Sequence, residues 1–348
     1  MRRILRYFFA FAITAATALS VSSEPAFAGK PKGKEKEPQK KTLRVLYWNI
    51  QNGMWAGQGD NYQKFVDWIN SKNPDICIFC EAAQIYYTGT ADHMPNEERY
   101  LPAHWDELCA RWGHQYHKVT PRRHSTSTPF GLGNYPQCIT SRYPIDSITV
   151  LKGNRKADTV LVNYGGWYQI HVNGAEKPLN IVTMHLKNGK AGYAVPADKK
   201  KQSEERYEGE LHRVKELKYL MDHTIRKSED PAGELWIMAG DYNSYSPLDN
   251  HKYRWNKASL GFTTQTYMLS ESPYFDLVAE SFPETFMPSC GGLRIDYFYV
   301  SKAMLNACTD VYPMRDSYTT REHSGVSKFY IPSDHYPIIA DFKISKLK

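Results

Sequence analysis

Eight short apolar runs, each bounded by turn-forming residues, divide most of this chain into segments of strand length. They lie at 43–48, 76–80, 137–141, 167–172, 179–184, 235–239, 297–300 and 336–344. Two segments, 62–69 and 207–225, have the apolar spacing of amphipathic helices, and 105–113, closed by Gly113, is a candidate third helix. Because strands outnumber helices, we predict an α/β fold in which helices pack on the outside of sheets.

The N-terminal residues have the pattern of a targeting segment. Three arginines within the first six residues precede an apolar stretch at 8–21, and Ala-Phe-Ala at 26–28 offers a cleavage site. The stretch is shorter than the roughly 20 apolar residues of a membrane span, so a retained anchor is the weaker interpretation. We predict a secretory signal peptide at 1–28, cleaved near Ala28, in a protein that is secreted or periplasmic.

Charge separates the start of the chain from the rest. Residues 29–41 form a Lys/Pro/Gly-rich linker with no apolar residue to bury. The chain has 44 basic and 37 acidic side chains, and 1–41 holds nine and three of them, which leaves 42–348 with a net charge of only +1. We predict a single domain over 42–348, and its near-neutral charge argues against the broad basic face of a tight nonspecific nucleic-acid binder.

Six cysteines in an exported chain raise the question of disulfides. Cys77 and Cys80 lie on one predicted strand, where three residues span about 10 Å, too far for a disulfide or a redox Cys-x-x-Cys motif. The sequence has no second Cys-x-x-Cys pair and no histidine at a suitable spacing, which argues against a structural zinc site. The other four, Cys109, Cys138, Cys290 and Cys308, either form bridges or remain buried thiols.

Polar or ionisable residues stand at one end of six of the runs. Asn49, Glu81, His185 and Asp241 follow four runs, Asn243 comes two residues after Asp241, and Asp296 and the pair Asp334-His335 precede two others. A mixed sheet would bring all these side chains to one edge. Singly, each has an ordinary explanation as a helix cap, a turn residue or a structural histidine. Four carboxylates at one edge would repel each other without a cation, and oxygen ligands without thiolate indicate Mg²⁺, Mn²⁺ or Ca²⁺.

Six ordered motifs around these residues resemble those of the endonuclease/exonuclease/phosphatase superfamily. They are YWNIQNG, DICIFCEA, TMHLKN, MAGDYNSY, LRIDYFYVS and SDHYPI, and they cover essentially all of 42–345. Deoxyribonuclease I, bacterial sphingomyelinases and inositol-polyphosphate phosphatases share this fold. The resemblance implies that 42–348 is a catalytic domain with a four-layer α/β/β/α sandwich, two mixed or antiparallel central sheets and a metal site at one edge of the sheets.

The resemblance also implies roles for residues at the matching positions. Glu81 and Asp334, with Asn49 beside them, would ligate the metal ion. Asp296 would orient His335, the candidate general base for an attacking water. A carboxylate partner suits this role because it keeps an imidazole basic and in one tautomer.

Further residues are expected to act on the phosphoryl group. His185 and Asn243 would donate hydrogen bonds to its oxygens as charge develops there. Asp241 would align the nucleophile or the leaving group, or would join Asn243 in a second metal site. Arg122 and Arg123 are expected on a loop over the site, in contact with phosphate, with an ordinary solvated basic loop as the alternative.

These observations predict an enzyme, a secreted divalent-metal-dependent phosphoester hydrolase, and within that class a phosphodiesterase or nuclease. The alternatives are a sphingomyelinase-like enzyme, an inositol or sugar phosphate phosphatase, and an inactive binding module of the same fold. The expected cofactor is Mg²⁺, Mn²⁺ or Ca²⁺, and the expected partner is a nucleic acid, lipid or small phosphate ester. No obligate protein partner is evident, and a monomer is expected. Arg142 is expected to form a structural ion pair, and residues 311–333 to affect selectivity.

Overall fold

Twelve strands in the described part of the chain form two six-stranded sheets. The computed structural model describes residues 40–54, 60–85, 94–120, 135–152, 161–188, 200–257, 259–320 and 332–348, with only the backbone described at 96 and 200–207. Gln39–Lys348 form one compact unit. The predicted signal peptide and most of the predicted linker lie outside the described residues.

The strands alternate along the chain between the two sheets in blocks. They are β1 (Thr42–Asn49), β2 (Ile76–Cys80), β3 (Tyr116–Val119), β4 (Cys138–Ser141), β5 (Ile145–Leu151), β6 (Gly165–Ile170), β7 (Leu179–His185), β8 (Trp236–Asp241), β9 (Phe275–Asp276), β10 (Asp296–Val300), β11 (Cys308–Pro313) and β12 (Ile338–Lys343). The first sheet has the order β11-β12-β1-β2-β4-β3, and the second has the order β5-β6-β7-β8-β10-β9. Each sheet has one parallel pair, β1 with β2 and β7 with β8, and its other neighbours are antiparallel.

Helices supply the crossovers and the outer layers. They are α1 (Gln63–Lys72), α2 (Trp105–Ala110), α3 (Lys200–His223), α4 (Asn250–Tyr253), α5 (Thr263–Glu271), α6 (Leu277–Ser281) and α7 (Lys302–Ala307). Short 3₁₀ turns lie at Asn96–Glu98, Ile225–Lys227, Pro247–Asp249, Leu260–Phe262 and Ile344–Lys346. α1 lies between β1 and β2, and α3 lies between β7 and β8, because parallel neighbours need a crossover connection. None of the described helices combines the length and apolar character needed to cross a membrane.

Alternation along the strands builds three apolar layers. In β1, Val45 and Tyr47 face the second sheet, whereas Leu46 and Trp48 pack with Phe65 of α1 on the outer face. On the other side of the molecule, the outer faces of β8 and β10 pack against α3 and α5. The order helix, sheet, sheet, helix is the predicted four-layer α/β/β/α sandwich, so the fold prediction is confirmed.

The four strands missing from the sequence prediction are β3, β5, β9 and β11. They are the outermost strands of the two sheets. β11 takes up the first residues of the segment 311–333, which is expected to affect selectivity, and residues 321–331 lie outside the described part of the chain. The helix predicted over 207–225 begins earlier and ends at His223.

The open question about the cysteines is answered by the structure. All six lie in the described part of the chain and all are free thiols. Four are buried, and burial raises the pKa of Cys109, for example, to about 11. These thiols are therefore protonated and slow to oxidise.

A buried histidine predicts acid sensitivity of this fold. His114 contacts Thr140 Oγ1 through Nδ1 at 2.8 Å and Pro74 O through Nε2 at 3.0 Å. Burial lowers its pKa to about 4, although the hydrogen bond to Pro74 opposes the shift and Asp75 and Arg142 act in opposite directions. Between pH about 6.5 and 4 this histidine is protonated in the unfolded chain but neutral in the folded chain. The free energy of unfolding therefore falls by roughly 1.4 kcal/mol for each unit by which the pH is lowered.

We expect the His114→Gln variant to lack this component. In urea unfolding between pH 7.5 and 5, the wild type should lose about 2 kcal/mol more than His114→Gln, which corresponds to 1.5 pH units below the unfolded pKa. His251→Gln, at an exposed position, is the control and should keep the wild-type slope. Equal slopes for wild type and His114→Gln would contradict the assignment to His114.

Candidate active site

The register of the strands brings the predicted residues to one edge of both sheets. β1 ends there with Asn49, and Glu81 directly follows the end of β2. His185 pairs with Asp241 at the ends of β7 and β8. Asp296 opens the antiparallel strand β10 opposite Asp241. Asp334-His335 lies a few residues before β12.

Gly240 lets the strands approach closely just before the edge. A Cβ at this position would lie 2.2 Å from Met184 O on the neighbouring strand, so no other residue fits without a backbone shift. Cys80 of the first sheet donates its thiol to the same carbonyl at 3.1 Å. His185 and Asp241, the next residues in each strand, are thereby held beside the end of β2.

A buried histidine–aspartate pair forms the centre of the site. His335 Nδ1 lies 2.7 Å from Asp296 Oδ2. Asp296 also accepts hydrogen bonds from Tyr47 Oη at 2.6 Å and from Ser289 Oγ at 2.8 Å. Because Asp296 accepts at Nδ1, the proton of the neutral ring lies there and the lone pair lies on Nε2. That nitrogen lies 3.9 Å from Asp241 Oδ2 and 3.9 Å from Asp334 Oδ1.

The loop before β12 fixes the position of His335. Trp48 Nε1 donates to His335 O at 2.9 Å, and His335 N donates to Ser333 Oγ at 3.1 Å. Ser333 Oγ in turn donates to Asn49 O at 2.6 Å. Burial opposes protonation of His335, but the Asp296 carboxylate outweighs it and raises the pKa of His335 well above its usual range. This histidine is built to take up a proton.

Asp241 lies in the middle of the edge. Its Oδ1 accepts from Asn243 N at 2.8 Å, and its Oδ2 lies 3.2 Å from Asn49 Nδ2 and 3.7 Å from His185 Nε2. Burial and the nearby Asp296 raise the pKa of Asp241 well above its usual range. Asp241 thus contacts residues of both sheets, Asn49 of the first and His185 of the second. This location fits its predicted role in aligning a nucleophile or leaving group.

Glu81 is held by a strained turn. Its own φ is 55°, and the turn Gln51–Met54 has a left-handed backbone throughout, with φ of 52° at Asn52 and 75° at Gly53. Asn52 N donates to Glu81 Oε2 at 3.0 Å, and Asn49 Nδ2 lies 3.3 Å from Oε1. Burial and the charge of Asp334 raise the pKa of Glu81 to about 7. Left-handed non-glycine residues are costly and concentrate at functional sites.

Asp334 stands at the mouth of the site. Its side chain is 49% exposed, whereas those of Asp241 and Asp296 are buried. Its carboxylate is close enough to raise the pKa of Glu81. Asp334 is therefore the acid of this group that a solvent ion meets first.

His185 and Asn243 lie beside Asp241, where a phosphoryl group would contact them. Burial and the neighbouring His335 lower the pKa of His185 to about 4, so the ring is neutral. Its Nε2 lies 4.0 Å from Glu81 Oε1, and its buried Nδ1 has no hydrogen-bond partner among the described residues. Asn243 Nδ2 donates to Leu186 O at 3.1 Å, which uses one of its two hydrogens and leaves the other available.

The donor set fits a hard divalent cation. The residues offer carboxylate and amide oxygens, the acids raise each other's pKa values, and Asn52 Oδ1 is buried without a hydrogen-bond partner among the described residues. Asp241, Asp296 and His335 also have ligand atoms within 4.8 Å of one another. Asp296 already accepts from three donors, and the set of Asn49, Glu81 and Asp334 as holders of the ion stays a prediction.

Other predicted residues lie away from this edge or outside the described part of the chain. Arg122 and Arg123 fall in 121–134, which is not described. Arg142 Nη1 donates to Asp75 Oδ1 at 3.1 Å, which confirms its structural ion pair.

The sequence analysis missed three residues whose side chains lie beside the side chain of His335 or Asp296, namely Tyr47, Ser289 and Cys290. Tyr47 stands two residues before Asn49 in β1, so strand periodicity carried a signal for it. No such signal exists for Ser289 or Cys290.

Glu81→Gln tests the cation site without any assay of activity. Mg²⁺ at about 100 times its dissociation constant should stabilise the wild type by about 2.7 kcal/mol, and Glu81→Gln should lose most of that stabilisation. Without Mg²⁺ the variant should melt at a higher temperature than the wild type, because it removes a charge that burial disfavours. Thermal melts with and without Mg²⁺ measure both effects. Glu107→Gln, on an exposed acid, is the control, and an undiminished response of Glu81→Gln to Mg²⁺ would contradict the site.

Comparisons with known proteins agree with this architecture. A model of the Endonuclease/Exonuclease/phosphatase family matches residues 46–335. The structure is similar to an AP endonuclease from Archaeoglobus fulgidus, with 16% identity, a TM-score of 0.53, and coverage of 86% of this chain and 99% of the other. It is also similar to the human Nocturnin catalytic domain with bound sulfate, with 14% identity, a TM-score of 0.58, and coverage of 87% and 94%.

A third similar structure is the 3′ phosphatase NExo from Neisseria, bound to a product DNA hairpin. It has 17% identity, a TM-score of 0.54, and coverage of 86% of this chain and 99% of the other. A search of curated protein sequences found no match. At these identities the structural likeness establishes the fold alone.

Proposed function

The chain belongs to the endonuclease/exonuclease/phosphatase family, whose members are phosphoester hydrolases, and we propose that it is an exported, divalent-metal-dependent phosphodiesterase acting on nucleic acid. The observation that carries the hydrolytic part is the buried His335–Asp296 contact of 2.7 Å, which leaves Nε2 facing Asp241 and the mouth of the site. Such a base, held in one tautomer beside clustered acids, serves hydrolysis by water.

The residues of the chain divide the chemistry between them. His335 Nε2 takes the proton of the attacking water, and Asp296 stabilises the imidazolium that results, itself steadied by Tyr47 and Ser289. A divalent cation held by Asn49, Glu81 and Asp334 would stabilise negative charge on the phosphoryl oxygens.

The second sheet contributes the groups that position the substrate. His185, neutral because burial lowers its pKa to about 4, and the free hydrogen of Asn243 Nδ2 donate to the phosphoryl oxygens. Asp241 lies between these donors and His335, where it aligns the water or the leaving group. Donors fixed in this way need no rearrangement as charge develops.

Nucleic acid is the substrate class favoured by two considerations. The site contains two histidines whose Nε2 atoms both lie close to Asp241 Oδ2, His185 at 3.7 Å and His335 at 3.9 Å, as expected for the deoxyribonuclease-like members of the family. One similar structure is described as an AP endonuclease and another as a 3′ phosphatase bound to a product DNA hairpin, which supports the proposal by analogy of fold. Export rests on the sequence pattern at 1–28, and a monomer is part of the same proposal.

A substrate panel tests the proposal directly. We expect the mature protein to cleave plasmid DNA or DNA and RNA oligonucleotides with Mg²⁺, Mn²⁺ or Ca²⁺ and to be inactive with a chelator. Phosphocholine release from sphingomyelin liposomes or free phosphate from inositol phosphates, without cleavage of nucleic acid, would replace it by the lipid or small-molecule alternative. No hydrolysis of any substrate by a folded protein that binds no metal would leave the inactive binding module.

A further inference from the structure

A cysteine lies directly against the candidate general base. Cys290 forms an isolated antiparallel bridge with His335 and another with Leu293. Next to it, Tyr336 N donates to Ser289 O at 2.6 Å, so a backbone hydrogen bond beside the bridge also holds the two segments together. The position of the thiol beside the imidazole is therefore set by backbone pairing and does not depend on a side-chain rotamer alone.

Three side chains around this bridge offer different ligand atoms at close range. Cys290, Asp334 and His335 each have one ligand atom within 4.8 Å of those of the other two. Nδ1 of His335 is engaged by Asp296, which leaves the Nε2 lone pair, 3.9 Å from Asp334 Oδ1, for a metal ion. A carboxylate behind a histidine is the usual support for a metal-binding imidazole.

We propose that Cys290, Asp334 and His335 form a binding site for a soft divalent cation, Zn²⁺ in the first place, distinct from the oxygen-only cation site at Asn49 and Glu81. Thiolate, imidazole and carboxylate are together a ligand set that suits Zn²⁺ and does not bind Mg²⁺ or Ca²⁺ tightly. Cys290 and Asp334 are both partly exposed, so an ion from solution reaches them, and three protein ligands leave a fourth position for water.

Binding is a coordination step without a redox change. The Cys290 thiol releases its proton to solvent, and so does the His335 ring when it is protonated; the sulfur and the Nε2 lone pair then bind the ion. The same lone pair is the one that takes the proton of water, so bound Zn²⁺ blocks hydrolysis. Asp334 is shared with the oxygen-only site, so the two ions also compete for it. The inhibition rests on the proposed function, whereas the binding does not.

Cobalt gives a readout of the site that is independent of activity. We expect full-length protein titrated with Co²⁺ in excess Mg²⁺ to develop the near-ultraviolet absorption of a thiolate–cobalt bond, and Zn²⁺ to abolish it. Cys290→Ser should lack the band. Cys308→Ser, at the other partly exposed cysteine, is the matched control and should keep it. A band that is absent from the wild type, or that persists in Cys290→Ser, overturns the proposal.

Inhibition by Zn²⁺ supplies the second arm. In excess Mg²⁺, half-inhibition of Cys290→Ser, relative to its own rate without Zn²⁺, should need at least about ten times more Zn²⁺ than the wild type, because one ligand is lost. Cys308→Ser should behave as the wild type. Equal sensitivity of Cys290→Ser would mean that Zn²⁺ acts by replacing Mg²⁺, and the proposed site would be wrong. Failure of the proposed function would appear differently, as absent hydrolysis with the cobalt band intact.

Discussion

The His335→Ala variant is expected to hydrolyse phosphoesters about 10²–10⁴-fold more slowly than the wild type at saturating divalent metal, which is the usual contribution of a positioned general base. The fold should survive, because Asp296 keeps its hydrogen bonds from Tyr47 and Ser289 when the imidazole is removed. Rates on a DNA oligonucleotide, together with circular dichroism and Mg²⁺-dependent melting of the same samples, separate lost chemistry from lost structure.

The control for this variant is an exposed histidine outside the site. The side chain of His171 is 68% exposed and, among the described residues, pairs with Asp146 of β5, away from the site. His171→Ala should therefore keep the wild-type rate. Asp296→Asn should also lose activity, since an amide can neither stabilise the imidazolium nor fix the tautomer. If His335→Ala kept most of its activity in a folded, Mg²⁺-responsive state, the assignment of the general base would be wrong.

The strands that the sequence predicts are the ones buried on both faces. All eight apolar runs became interior strands of the two sheets, such as β1 and β8, in which nearly every residue is buried. The four missed strands are edge strands, and most of their residues are exposed or half-buried, as in β5. An edge strand has one neighbour and less apolar contact, so its sequence carries a weaker pattern.

The site was predictable for a related reason. The polar residue at the end of each run could be assigned to one edge from strand direction alone, and Asn49, His185 and Asp296 are found together there. Membership of each strand in one sheet or the other was not predictable, because it depends on long-range pairing. The contacts of Ser289 and Cys290 with the His335–Asp296 pair were missed for the same reason, since both residues lie in an irregular segment before β10.

The largest effect on stability is expected at Arg294, two residues before Asp296, the buried partner of His335. Its side chain is buried, with Nε 2.7 Å from Asp249 Oδ2 and Nη1 2.6 Å from Asp276 Oδ2. The guanidinium also lies over the ring of Tyr297 at 4.6 Å. Arg294→Met would leave two buried carboxylates without a counter-charge, and removing one partner of such a network costs about 3–5 kcal/mol. Urea unfolding with a shared m-value measures the loss.

Arg226 provides the matched control. It pairs with Asp222 at 2.7 Å on α3, but its side chain is 30% exposed, so solvent screens the pair and Arg226→Met should cost less than about 1 kcal/mol. A loss at Arg294 no larger than at Arg226 would contradict the role of burial.

Neutralising the two acids tests the cause of the instability. In the Arg294→Met background, Asp249→Asn together with Asp276→Asn should restore part of the lost stability, because the buried groups would no longer carry charge. Asp276 Oδ1 also caps α6 by accepting from Ala279 N at 3.3 Å, and asparagine preserves that bond. If the triple variant were less stable than Arg294→Met alone, the cost would lie in lost packing around Tyr297 and not in unpaired charge.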